Sequence, residues 1–276
     1  MAAKNKKKRI FCYMLAILVT AVQILPILVV LMNSLRSNSD ISKIMIGIPT
    51  RPIFTNYITA WVKGGYFHAY QSSLIIGFGT SIAVTLLVGL AAYGMIKMDC
   101  YGKHFFHTYF VAGLAIPSFA IIVPLFFIFY RLGLVNTHLG MILIYIGTNL
   151  SFNFIFMYSF FEGMPPELDD AARIDGASEL QNFRYIVMPL AKPIMTSVML
   201  IVFVNTWNEF LFSNTFLQKE TVRTVSLRFY NFVGRNGSDY GYIYAAAIIT
   251  ILPIFILYFL MQDSFVEGMT SGSVKG

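Results

Sequence analysis

Long stretches without any charge constrain this chain more than anything else in it. Ile10–Leu35, Gly64–Ile96, Phe105–Tyr130, Leu132–Phe161 and Tyr240–Gln262 contain no Asp, Glu, Lys or Arg. A sixth run, Ile194–Asn208, continues past the single charge of Glu209 to about Ser213. A helix that crosses a bilayer needs about 20 mostly apolar residues. The runs therefore predict an all-α polytopic membrane protein with six transmembrane helices, over residues 11–33, 72–96, 106–130, 139–161, 194–214 and 243–262.

Only 12% of the 276 residues are charged, about half the share in soluble domains. The net charge of +7 does not point to nucleic acid. Lys4, Lys6, Lys7, Lys8 and Arg9 stand directly before the first apolar run, where basic residues orient a helix against the cytoplasmic leaflet of the lipid bilayer. That run is too long for a cleavable signal core of about 7–15 residues, so it is expected to stay as a membrane helix. The basic cluster places both termini in the cytoplasm, with the loop 97–105 and the polar segment 163–193. The loops 34–71, 131–138 and 215–242 then lie outside. Pro49, Pro52 and the Gly64–Gly65 pair predict irregular structure or short surface helices in the first of these. Two cysteines, Cys12 and Cys100, suggest neither a disulfide framework nor a thiolate metal site.

One polar island interrupts the apolar pattern, Pro165–Pro193, with the sequence PPELDDAARIDGASELQNFRYIVMPLAKP. Pro165 and Pro166 suit the first turn of a helix, where a missing N–H costs nothing. Glu167, Asp169 and Asp170 follow at the positive end of its dipole. Ala171 and Ala172 favour the helix and add little bulk, and Gly176 can end it in the left-handed conformation. Ser178-Glu179-Leu180-Gln181 fits a capping box that opens a second helix. Leu180, Phe183 and Val187 would line one face of that helix, and Pro189 and Pro193 would stop it. The outcome is a rigid helix–turn–helix elbow, able to pass force to the spans beside it.

This spelling resembles the EAA loop in permease subunits of binding-protein-dependent ABC importers. The match runs through Asp170-Ala171-Ala172, Ile174-Asp175-Gly176-Ala177-Ser178, Phe183 and Met188-Pro189-Leu190. Asp170 stands where the family carries Glu, one methylene shorter with the same charge. Further likeness to the carbohydrate-uptake branch lies in Ala91-Ala92-Tyr93, Ile122-Val123-Pro124-Leu125, Gly133-Leu134-Val135-Asn136-Thr137, Thr206-Trp207-Asn208-Glu209-Phe210 and the tail Gly268–Gly276. The chain is most similar to the six-helix subunit of maltose-type transporters.

The resemblance implies a type I ABC importer permease fold in a bacterial plasma membrane, divided into residues 1–71, a core 72–262 and a cytoplasmic tail 263–276. It implies a heterodimer with a second permease, an ATPase dimer beneath and an extracytoplasmic binding protein that delivers a carbohydrate, an oligosaccharide on the branch resembled. Glu167, Asp170, Ala171, Ala172, Asp175, Gly176 and Ala177 should lie at the ATPase contact, and the tail from Thr270 should reach between the ATPase subunits. No GxxxxGK[ST] phosphate loop occurs in the sequence. The chain is therefore expected to be a transport subunit without an enzymatic site or cofactor of its own, with ATP and Mg held by the partner.

Two sets of polar residues fall within the spans. Asn149 and Asn153 share a helix face at i, i+4, where they either join helices or line a path. Trp207, Asn208 and Glu209 offer a ring, an amide and an acceptor suited to a sugar. The alternative for Glu209 is a hydrogen bond that braces the outer gate. A charge in a span normally faces the bundle interior or water. An ion-coupled secondary transporter is the competing class; it would need coupling charges at the midplane and often repeated halves, and neither is visible.

Overall fold

The computed structural model describes residues 2–98 and 101–271, and every regular element among them is helical. Cys100 and the tail beyond Ser271 lie outside the described residues. Five helical stretches are long and apolar enough to cross a membrane: Lys8–Ser34, Tyr66–Lys97, His138–Glu162, Glu179–Asn208 and Tyr240–Asp263. A bent pair, Lys103–Gly113 with Ser118–Arg131, supplies the material of a sixth.

The described chain forms two units. The first comprises residues 1–67 and 228–253. Its leading helix α1 (Ala2–Ser34) is exposed over nearly all its apolar length. Such exposure costs nothing against lipid tails, which are as apolar as leucine. Two short helices follow, α2 (Asn38–Lys43) and α3 (Thr55–Gly64), as the prolines and glycines of this segment predict. Ser37 caps α2 by accepting from the Asp40 amide at 3.1 Å. Gly65 closes α3 at φ +62°, a conformation glycine adopts without a Cβ penalty. The end of α1 is fastened by polar contacts. Asn56 Nδ2 donates to the carbonyls of Ser34 (2.9 Å) and Arg36 (3.0 Å). The buried Arg36 guanidinium donates to Asn33 Oδ1 and the Asp40 carbonyl. The two Asn56 contacts satisfy carbonyls left free where α1 ends.

The second unit comprises residues 68–227 and 254–276. It holds most of α4 (Tyr66–Lys97), then α5 (Lys103–Gly113), a 3₁₀ turn Ser118–Ile121, α6 (Ile122–Arg131) and α7 (His138–Glu162). Next come α8 (Glu167–Ile174), α9 (Glu179–Asn182), a π turn Phe183–Val187, α10 (Met188–Asn208), α11 (Leu211–Phe216), the start of α12 (Val225–Arg235) and the end of α13 (Tyr240–Ser271). Near the polar island, Val88 and Ala92 of α4, Phe154 and Met157 of α7, and Ala191 and Ile194 of α10 form one apolar core. Farther away, Ile76, Ile144, Phe212 and Phe216 form another. Gly77 and Gly79 let α4 pack closely: a Cβ at either would come within 2.8 Å of Phe203 or Ile142. Gly89 and Gly94 meet nothing within 4 Å, so small size serves packing inside this chain at only two of the four sites.

The third span is not the single helix expected over 106–130. Its halves meet at 89°. Leu114, Ala115 and Ile116 bond to carbonyls three residues back, tightening the end of α5. Pro117 then adopts an extended ψ of 118° and, lacking an N–H, cannot continue the helix. Pro124 sits in the first turn of α6, where its missing N–H is harmless. The broken segment still crosses. Ser72 Oγ and His138 Nε2 lie 3.0 Å apart near the starts of α4 and α7, and Lys97, the last residue of α4, lies 2.6 Å from Asp169, which follows the end of α7. Residues between Lys97 and His138 must therefore return the full length of α4, which gives six spans.

Three further expectations are corrected. Pro189 and Pro193 do not stop the helix after the island, because Glu179–Asn208 is continuous. The π turn adds one residue to the winding just before Pro189, where a proline would otherwise crowd the preceding turn. Leu180 does not share the buried face with Phe183 and Val187; it is 74% exposed, and Asn182 turns inward in its place. The fifth span ends at Asn208 rather than 214, and Glu209 is extended at ψ 131°.

Candidate functional site

The elbow forms as its residues dictate. Three acids occupy the first turn of α8, and Gly176 reverses the chain at φ +76°. The Ala177 amide closes the turn on the Ala172 carbonyl at 3.0 Å. Both halves of the capping box are made: Ser178 Oγ accepts from the Gln181 amide, and Gln181 Oε1 accepts from the Ser178 amide at 2.8 Å. Ala172 is buried, Ala177 is half-buried, and Leu168 and Phe183 reach the apolar core. Glu167, Asp170, Ala171, Asp175 and Gly176 are exposed together. Ile174, 86% exposed, and Leu180 add apolar side chains to the surface of the elbow.

The sequence marks Asp169 only as an acid at the positive end of the α8 dipole, and its partners come from elsewhere. Its Oδ2 accepts from Lys97 Nζ at 2.6 Å and its Oδ1 from Asn182 Nδ2 at 2.9 Å. Burial pushes the carboxyl pKa up, but the hydrogen bonds from Lys97 and Asn182, with the charges of Lys97 and Arg173, outweigh it and hold the group below its ordinary value. Lys97 is 72 residues away, and spacing alone offers no sign of the pair. Arg173 and Glu179 make a second ion pair at 3.3 Å, but both side chains are well exposed.

A second polar assembly surrounds the break between α10 and α11. Glu209 Oε1 accepts from the Phe212 amide at 2.8 Å, and Oε2 accepts from the Ser213 amide at 3.1 Å and the Tyr145 hydroxyl at 2.5 Å. The carboxylate thus caps α11 and ties it to α7, and Ser226 Oγ donates to the Glu209 carbonyl. Trp207 is 1% exposed; its ring stacks on Phe203 and meets Tyr70 edge-on. Asn208 is exposed. Asn149 is half-buried and accepts from Asn205 Nδ2 at 3.4 Å, whereas Asn153 is buried and donates to the Asn149 carbonyl at 2.8 Å. The structure brings Asn149 and the exposed Asn205 together and keeps Trp207 within the packing. Among the described residues, no group of three or more His, Cys, Asp and Glu could hold a metal ion.

Residues 85–271, which include the elbow and the last four spans, match the family described as binding-protein-dependent transport system inner membrane component. The chain belongs to this family. It is a multi-pass inner-membrane permease subunit of an ABC importer, a transport component and not itself an enzyme. It is 32% identical to the diacetylchitobiose uptake system permease protein NgcG of Streptomyces coelicolor, over 99% of this chain and 91% of the relative. It is also 32% identical to the melibiose/raffinose/stachyose import permease protein MelC of Bacillus subtilis, over 100% and 99%. A solved bacterial ABC transporter involved in alginate import has a chain of the same fold. Its TM-score is 0.77 at 21% identity, covering 94% of this chain and 98% of that one.

Proposed function

We propose that this permease pairs with a second, non-identical permease to pass an oligosaccharide inward, and that its elbow rests in a cleft on a separate ATPase dimer. The exposed face of the elbow carries this reading. A membrane chain that turns Glu167, Asp170, Ala171, Asp175 and Gly176 outward from a capped helix pair offers a fixed surface to a soluble partner. Ala172 and Ala177 set how tightly the turn closes beneath it. Oligosaccharide specificity is supported by the full-length relatives that import diacetylchitobiose and the melibiose/raffinose/stachyose group. ATP and Mg belong to the ATPase, and an extracytoplasmic binding protein delivers the sugar. Both termini and the elbow face the cytoplasm, in keeping with the basic cluster before α1. Asn149 and Asn208 line the path, while Asn153, Trp207 and Glu209 hold the wall behind it.

Coexpression with a candidate ATPase, second permease and binding protein tests this. The wild-type chain should copurify with the ATPase and take up labelled raffinose or diacetylchitobiose in proteoliposomes only with ATP inside. Gly176→Asp, which strains a left-handed position in the turn, should lose copurification or uptake. Uptake by this chain alone, without an ATPase, would establish an ion-coupled transporter instead.

A further inference from the structure

From the contacts of Asp169 we infer that its carboxylate is the mechanical brace of the elbow, joining α8 to α4 and to the α9–α10 helix, so that elbow movement reaches a span remote in sequence. The inference rests on the elbow being the ATPase contact. Chain connectivity alone links α8 to α7 before it and α10 after it. Asp169 adds a third connection, because Lys97 is the last residue of α4. One carboxylate oxygen holds Lys97 at 2.6 Å and the other holds Asn182 at 2.9 Å. Asn182 ends α9, which runs through the π turn into α10. Two long helices therefore converge on one small group in the first turn of the elbow.

Burial separates this ion pair from an ordinary surface contact. The Lys97 and Asp169 side chains are 8% and 14% exposed, against 59% and 48% for Arg173 and Glu179. Exposed pairs contribute little, because water and salt screen them and flexible side chains must be ordered to make them. A shielded pair that loses one partner leaves the other charge uncompensated. The carboxylate also lies near the N-terminus of α8, where a negative charge is favoured, and the ammonium near the C-terminus of α4, where a positive one is. Lys97, Asp169 and Asn182 thus form a joint within the elbow, and the Arg173–Glu179 pair provides an internal control on the same turn. Asp169 and Lys97 act as positioning residues, with no contact to substrate or nucleotide required.

The test uses the whole transporter in proteoliposomes, with Mg-ATP as the probe and hydrolysis measured with and without the cognate binding protein. Variants are Asp169→Asn, Lys97→Gln, the exchange Lys97→Asp with Asp169→Lys, and Arg173→Gln. The two single brace variants should still copurify with the ATPase, but stimulation by the binding protein should fall about tenfold. The exchange restores the pair but sets each charge against its helix dipole and gives up the Asn182 contact, so it should recover part of the stimulation, and Arg173→Gln should keep most of it. Wild-type stimulation in both single variants would overturn the brace while leaving the elbow as the ATPase contact. Loss of ATPase copurification in the single variants without recovery in the exchange would also overturn it, by assigning Asp169 to folding or docking. A wild-type chain that binds no ATPase would overturn the elbow contact and the brace together.

Discussion

Glu209 shows how one residue type can support several roles until its neighbours are known. Its charge in an apolar run marks it in the sequence, yet its partners are two amides of the following short helix and a tyrosine of α7. Glu209→Gln leaves one oxygen where two accept, and turns an amide N–H toward groups that donate. It should cost about 1–3 kcal/mol, seen as a lower Tm in detergent, whereas Asn208→Ala at the neighbouring exposed position should leave Tm nearly unchanged. Equal melting of both variants would remove the cap from Glu209. Asp169 makes a pH prediction. Its pKa is lowered in the folded chain from an ordinary 3.8, so its stabilisation is complete above that value and disappears as pH falls through the lower folded one. Limited pepsin cleavage of the elbow should therefore begin below the ordinary carboxylate range in the wild type. Asp169→Asn should show no such acid step. The exposed elbow residues were legible because helix caps and turns are local. The Lys97 contact was not, because a pairing across 72 residues leaves no periodic mark.

At the scale of elements, the interrupted third span is the plainest case of hydropathy concealing a shape. Residues 105–130 carry no charge, and prolines are tolerated in membrane helices when neighbours satisfy the freed carbonyls. Hydropathy therefore marks a crossing but not its 89° bend. The glycines of α4 make a similar distinction. Gly77→Val would drive a side chain into Phe203 and should destabilise the chain by about 1–3 kcal/mol, as overpacking does, read as a loss of Tm. Gly89→Ala, with nothing within 4 Å, should melt like the wild type. A fall of similar size in both would mean that helix flexibility, rather than the Phe203 contact, explains the glycine at position 77.

For the whole molecule, the number of crossings fixes which segments share a side of the membrane. The topology proposed above, with four spans before the elbow, puts the elbow on the cytoplasmic side with the N-terminus and the α2–α3 segment on the other, which labelling can test. Leu180→Cys and Ile46→Cys, both exposed in the wild type, should in a Cys12→Ser, Cys100→Ser background react with membrane-impermeant maleimide from opposite sides. Leu180 should label only in inverted vesicles, and the reverse pattern would overturn the cytoplasmic placement of the elbow. The sequence by itself determined the class, six crossings, the capped elbow and the family resemblance, since each rests on apolar length or on residues within a few positions of one another. Only the tertiary structure decided that the third span is bent, that Trp207 is enclosed, that Glu209 caps a helix and that Asp169 binds α4. Those outcomes depend on which surfaces meet when distant helices pack, and such contacts arise from three-dimensional complementarity that no local pattern encodes.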